Sequence, residues 1–156
     1  MNRKRAMQKI LKHFNLKIPV EFSTDYAVQF RNSTDEPMKI FVQHPDTERT
    51  LMKNEITLAQ DAWTRIYLSQ HGIKMSYHAF AMLHEIGHTQ SHQRSLKEYD
   101  IDVKTLEMLA QNGLIDVNEY INLYNKIEDE KNASDWAVNW IKNNKKTAEW
   151  LNSIVN

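Results

Sequence analysis

No cysteine occurs among the 156 residues. That excludes disulfides, and it excludes every zinc site built on thiolates. Glycine is scarce, at three residues, and nowhere forms the Gly-rich loop that cradles a phosphate. The three prolines, Pro19, Pro37 and Pro45, all lie in the first third. No apolar run approaches the ~20 residues that a membrane-spanning helix needs. The basic N-terminal stretch does not lead into a signal-peptide core either, because Lys9, Lys12 and His13 interrupt it. A net charge is also missing, since 20 basic and 20 acidic residues cancel. The general electrostatic argument for nucleic acid or an acidic substrate therefore falls away. The expectation is a cytosolic protein with no membrane role.

What is present is the profile of one ordinary globular domain covering residues 1–156, 41% apolar and 26% charged. The charge is uneven: Arg3, Lys4, Arg5, Lys9, Lys12 and Lys17 stand in an N-terminal segment without Asp or Glu. A solvated helix face explains them, and contact with an acidic partner or DNA is the other reading.

Hydrophobic periodicity predicts a helix over 3–14, with Met7, Ile10, Leu11 and Phe14 on one side. Val20 and Phe22, then Ala27, Val28 and Phe30, read as strands either side of a polar turn at Ser23–Asp25. Lys39–Gln43 reads as a short strand, and the β-favouring Thr64–Ser69 as another. Residues 46–62 are ambiguous. Helical signals then take over. Ser76 opens a helix to about Gln93, Ser95 and Glu98 one ending at Gly113, and Asp116 and Glu119 a third. A last helical pattern runs from about Lys131 towards the end. The fold class expected is α+β: a small N-terminal sheet packed on an active-site helix, followed by a helical C-terminal part.

The chemistry sits in Ala79–Gln90, AFAMLHEIGHTQ, where His84-Glu85-Ile86-Gly87-His88 is an HExxH motif on a predicted helix. Residues four apart share a helix face, so both imidazoles reach one metal ion. Glu85, beside the open coordination position, would act as the general base. Ala79, Met82, Leu83 and Ile86 bury the helix, and Ala81 and Tyr77 share the histidine face. Gly87 costs about 1 kcal/mol in mid-helix relative to Ala and would permit close approach of a neighbouring backbone.

A catalytic zinc needs a third protein ligand. His92 is two helical turns from His84, about 12 Å along the axis, and reads as a helix-end or supporting group. On a helical wheel with Ala133, Trp136, Ala137, Trp140 and Ile141 facing inward, Glu130 and Asp129 fall at the two edges, while Glu128 and Asp135 face away. Periodicity leaves Glu130 and Asp129 tied. Tyr77, His78, Tyr99, Tyr120 and Tyr124 are candidates to stabilise an oxyanion, with none singled out. Trp136, Trp140 and Trp150 read as core, with Trp150 also able to serve a partner.

These motifs resemble the ImmA/IrrE-type family of small zinc metallopeptidases. There an HExxH helix, often with a histidine four residues on, precedes a helix reading E-x-x-A-x-x-F-A. Here His84, Glu85, His88 and His92 match the first part. Glu130, Ala133, Trp136 and Ala137 match the second, with Trp in place of Phe. RIYLSQHGIKMS also resembles what precedes the motif in that family. The likeness spans roughly residues 64–140. It departs where Val138-Asn139-Trp140-Ile141-Lys142 replaces an apolar run, and where Asn132 stands in place of an acid. The resemblance implies a zincin-like fold with His84, His88 and Glu130 as zinc ligands. It also implies hydrolysis of a protein substrate, often a transcriptional repressor. The competing expectation is a non-catalytic module that keeps the scaffold and sequesters a regulatory protein.

Overall fold

The computed structural model describes residues 2–23, 28–31, 39–44 and 54–156. Within them the chain is mostly helical with one small sheet. Its elements are α1 (Arg3–His13), β1 (Val20–Ser23), β2 (Val28–Arg31), β3 (Lys39–Gln43), α2 (Glu55–Gln70), α3 (Tyr77–Gln90), α4 (Leu96–Gln111), α5 (Val117–Tyr124), α6 (Glu128–Asn143) and α7 (Lys145–Val155). The α+β expectation holds at this level.

The sheet has the order β1-β3-β2. β3 pairs in parallel with β1, Val20 opposite Ile40 and Phe22 opposite Val42, and antiparallel with β2, Val28 opposite Val42. The two strands on either side of the expected turn therefore do not pair with each other; most of that turn and Ala27 lie outside the described residues. Ile40 and Val42 are fully buried, as the period-2 geometry of a strand with one covered face requires. α1 lies against β1, β3 and α7, burying Ala6, Met7, Ile10 and Leu11 while Arg5, Lys9 and Lys12 stay exposed. Most of the basic residues of this segment thus lie on the exposed side, Lys17 included.

α3 is the centre of the fold. It packs along α6 and also touches α7, α2 and β2. Ser76 caps it by accepting from the Ala79 N–H at 3.2 Å, and the Ser76 N–H donates to Asn152 Oδ1 of α7 at 3.0 Å. Ala79, Met82, Leu83 and Ile86 are fully buried, each of the three larger ones contributing about 1.5–3 kcal/mol relative to exposure.

Two expectations are corrected. Thr64–Ser69 is not a strand but the second half of α2. Asn54 caps that helix through the Ile56 and Thr57 N–H groups, and Asp61, Thr64 and Leu68 are buried at helical spacing. Trp63 stacks on Tyr67 one turn later, centroids 4.8 Å apart. Tertiary packing of this face outweighs the β propensity of Ile66, Tyr67 and Leu68. The last helical pattern is also two helices. α6 begins at Glu128, three residues before the expected start, and Asn144 (φ −139°, ψ 49°) interrupts the helix. The Asn144 side chain donates to the Trp140 carbonyl at 2.9 Å, a local competition with helical bonding typical of Asn.

Candidate metal centre

The inward stripe of α6 is Glu130, Ala133, Ser134, Ala137, Val138 and Ile141. It is rotated away from the tryptophans assumed in the sequence reading. Trp136 and Trp140 are half-buried at its edge, against Phe14 at the C-terminal end of α1, and Trp150 is 40% exposed. This rotation brings Glu130 and Ser134, one turn apart, onto the face that meets α3.

Gly87 makes the meeting close. A Cβ there would overlap the Ala133 carbonyl oxygen and lie 2.9 Å from its Cα. The neighbour is backbone and cannot swing aside. Gly87→Ala should therefore gain helix propensity of about 1 kcal/mol but lose more to overpacking. The net loss is roughly 1–2 kcal/mol, with metal affinity falling because α3 and α6 are forced apart. Thermal unfolding of the metal-free and metal-loaded chain checks this; an unchanged or raised Tm would sink the close-packing account.

Across this contact three ligand atoms converge. His84 Nε2 lies 2.7 Å from Glu130 Oε2, His88 Nε2 3.3 Å from the same oxygen, and the two Nε2 atoms are 3.2 Å apart. The remaining atoms of these groups are already engaged. Nδ1 of His84 meets Ser134 Oγ at 2.9 Å, and Nδ1 of His88 meets Gln93 Oε1 at 2.9 Å. Tyr99 and Tyr124 both donate to Glu130 Oε1, at 2.7 and 2.8 Å. Held at Nδ1, each imidazole turns Nε2 to the shared point, while the tyrosines engage Oε1 and leave Oε2 facing the two imidazoles. Outer partners of this kind orient ligands and typically affect metal affinity 10–100-fold. Glu85 is 9% exposed and lines a cavity of about 530 Å³ in front of His84 and Glu130. Ligand atoms of His84, Glu85 and His88 all lie within 4.8 Å of one another, so this group could hold a metal ion.

The donor set fits a metal. Two imidazoles and one carboxylate, without thiolate, form one of the known three-ligand sets of catalytic zinc. A tetrahedral ion with bonds of about 2.0–2.1 Å separates its ligand atoms by about 3.3 Å. Two of the three separations here match that value. The third, His84 to Glu130, is shorter at 2.7 Å, a hydrogen-bond distance.

Asp129, tied with Glu130 in sequence, has another task. Its carboxylate accepts from the Arg94 backbone N–H at 2.6 Å and from the Arg94 guanidinium at 2.7 and 2.9 Å. It clamps the 91–94 loop to the start of α6. Glu128 is about half exposed, and Asp135 takes Lys131 and the Tyr67 hydroxyl. His92 lies beyond the end of α3 with its side chain exposed, and its carbonyl accepts from Asn132. His78 faces Gln43 of β3 at 2.8 Å, away from the centre. Tyr77 and Tyr120 line the cavity.

Gln93 and the Ser134 hydroxyl escaped the sequence reading. The one available signal was that Ser134 stands four residues after Glu130. Gln93 follows a helix end and has no periodic signature. Tyr99 and Tyr124, expected as core or rim residues with an oxyanion role as the other reading, both donate to the Glu130 carboxylate.

Burial opposes charging both partners of the metal-free cluster, but their mutual contact prevails. The His88 pKa is pushed up to about 9 by its hydrogen bond and charge interaction with Glu130 against the penalty of burial. Glu130 is held well below the usual carboxylate range by His84 and His88, again against burial. The folded His88 value lies above the ordinary 6.5. The His88 contribution is therefore fully present below pH 6.5 and fades as pH rises through about 9, whereas the Glu130 contribution is present above pH 4.5 and is lost as pH falls below it. A metal ion must displace the same proton. Metal affinity should therefore climb across this window, with one proton released from His88 per ion near neutral pH and none well above 9. Calorimetric titration in buffers of different ionisation enthalpy reads the proton count; no proton release at pH 7 would contradict the assignment.

No helix of the described residues is long and apolar enough to cross a membrane. Comparison of the chain with protein-family models, with curated proteins and with solved structures finds no significant match.

Proposed function

We propose that the chain is a zinc-dependent endopeptidase of zincin-like architecture that hydrolyses a peptide bond of a specific protein. The observation that carries this reading is the convergence of His84 Nε2, His88 Nε2 and Glu130 Oε2 within 2.7–3.3 Å of one another, beside a cavity that Glu85 lines. His84, His88 and Glu130 would hold the zinc. When bound, zinc supplies Lewis-acid polarisation of the scissile carbonyl and makes water a better proton donor. Glu85 takes the proton from the attacking water and returns it to the leaving amine. Its carboxylate lies within 4.8 Å of the ligand atoms of both histidines and lines the cavity, within reach of a water held there. Ser134 and Gln93 hold the imidazoles, and Tyr99 and Tyr124 hold Glu130, so the geometry is set before substrate arrives.

The resemblance to ImmA/IrrE-type metallopeptidases favours a transcriptional regulator as substrate and a cytoplasmic site of action. The direct test is elemental analysis of the full chain purified without a metal-affinity tag, alongside cleavage of a mixture of internally quenched peptides. One zinc per chain and cleavage abolished by a chelator are expected. No zinc after supplementation would remove the hydrolytic reading and leave a metal-free scaffold that sequesters its partner.

A further inference from the structure

The cavity in front of Glu85 is more aromatic than proton transfer requires. Trp63 of α2, Phe80 of α3, Val103 of α4, and Tyr120 and Ile121 of α5 line it. Two of the rings are held by stacking. Trp63 stacks on Tyr67 at 4.8 Å and 14°, and Tyr120 on Tyr124 at 6.2 Å and 19°. Polar groups at the seam between α2 and α5 are already turned to one another. Gln60 Nε2 donates to Asn125 Oδ1 at 3.4 Å, Asn125 Nδ2 donates to Gln60 Oε1 at 3.1 Å, and Thr64 Oγ1 donates to the Gln60 carbonyl at 2.8 Å. The rest of the lining is mixed, with Asn54, Thr57 and Ser134 beside the rings of Trp63, Phe80 and Tyr120.

The volume, about 530 Å³, falls within the range of about 300–1,000 Å³ typical of ligand pockets and holds a bulky side chain with part of its backbone. Three carboxylates, Glu85, Glu107 and Glu130, also line the space. A charged side chain would lose hydration against the apolar part of the wall, and an acidic one would in addition face Glu107.

We propose that this cavity is the specificity pocket of the site, taking a bulky apolar side chain of a peptide substrate, aromatic or large aliphatic, and rejecting Asp and Glu. The inference rests on the metallopeptidase reading for its setting. The selectivity itself comes from the walls and does not need the metal.

The test uses the full chain and three capped hexapeptides that differ only at a central Phe, Ala or Glu. Binding is measured by calorimetry on the metal-free wild type and on zinc-loaded Glu85→Gln. The Phe peptide should bind tighter than the Ala peptide by about tenfold or more, from burial of the ring, and the Glu peptide weakest, in both forms. Val103→Phe and Thr57→Phe fill the cavity from two different helices. Each should bring the Phe peptide down to the level of the Ala peptide. Equal binding of the three peptides overturns the proposal. So does no binding at millimolar concentration, or a Phe preference that survives in both filled variants. If the order holds in both forms while the zinc-loaded wild type cuts none of the peptides, the pocket stands and the hydrolytic reading falls.

Discussion

Glu130→Ala should lower zinc affinity by on the order of a hundredfold or more. A full zinc site is worth roughly 10–16 kcal/mol over four ligands, so one ligand corresponds to about 3 kcal/mol. The loss extends beyond the metal. Glu130 is almost fully buried, and its carboxylate is the common acceptor for two tyrosine hydroxyls and the partner of two imidazoles. Alanine leaves all four groups without it. Removing one member of such a buried cluster typically costs about 3–5 kcal/mol, so the variant is expected to lose stability as well as zinc. Glu130→Gln separates the two effects. Its carbonyl oxygen still accepts from Tyr99 and Tyr124, while the negative charge that a zinc ion needs is gone. Asp129→Asn is the matched control on the neighbouring residue. It weakens the clamp on Arg94 and should lower the Tm, yet it should keep one zinc per chain. Retention of zinc in Glu130→Gln, with loss in Asp129→Asn, would reverse the ligand assignment.

Glu85→Gln should behave in the opposite way. The amide keeps the shape and burial of the side chain, so the fold and the zinc content should remain. It cannot take a proton from water, so peptide hydrolysis should fall by about 10²–10⁴-fold, the usual worth of a positioned general base. The pair of variants decides between two geometries that the His84–Glu85–His88 grouping alone allows. Zinc lost in Glu85→Gln and kept in Glu130→Gln would make Glu85 a ligand and leave the chain without this base. Zinc and partner binding both kept, with no hydrolysis detectable even in the wild type, would favour the sequestering module.

The local part of this protein was legible in its sequence because the information is local. Helix caps at Ser76, Ser95 and Asp116 mark their helix starts through a single side-chain bond each. The 3.6-residue period placed His84 and His88 on one face of α3, and Tyr77 and Ala81 on that face line the cavity. Lys39–Gln43 forms the expected strand. Failures came where a distant partner outweighs propensity. The segment around Tyr67 has β-favouring residues, yet it is helical because its buried face packs against other helices.

The absence of cysteine and the HExxH spacing determined, without any coordinates, that a metal centre here would be built from imidazole and carboxylate. Periodicity did not say which carboxylate meets the histidines; the family resemblance pointed to Glu130, and the tertiary structure has that carboxylate 2.7 and 3.3 Å from the two imidazoles. Glu130 and Asp129 are adjacent on one helix and both buried, so no periodicity separates them. The rotation of α6, permitted by the missing Cβ of Gly87 against Ala133, turns Glu130 towards the histidines. The loop carrying Arg94 claims Asp129. Tyr99, Tyr124 and Gln93 join from two further helices and that same loop, and such convergence depends on packing between segments far apart in the chain, which no local pattern encodes.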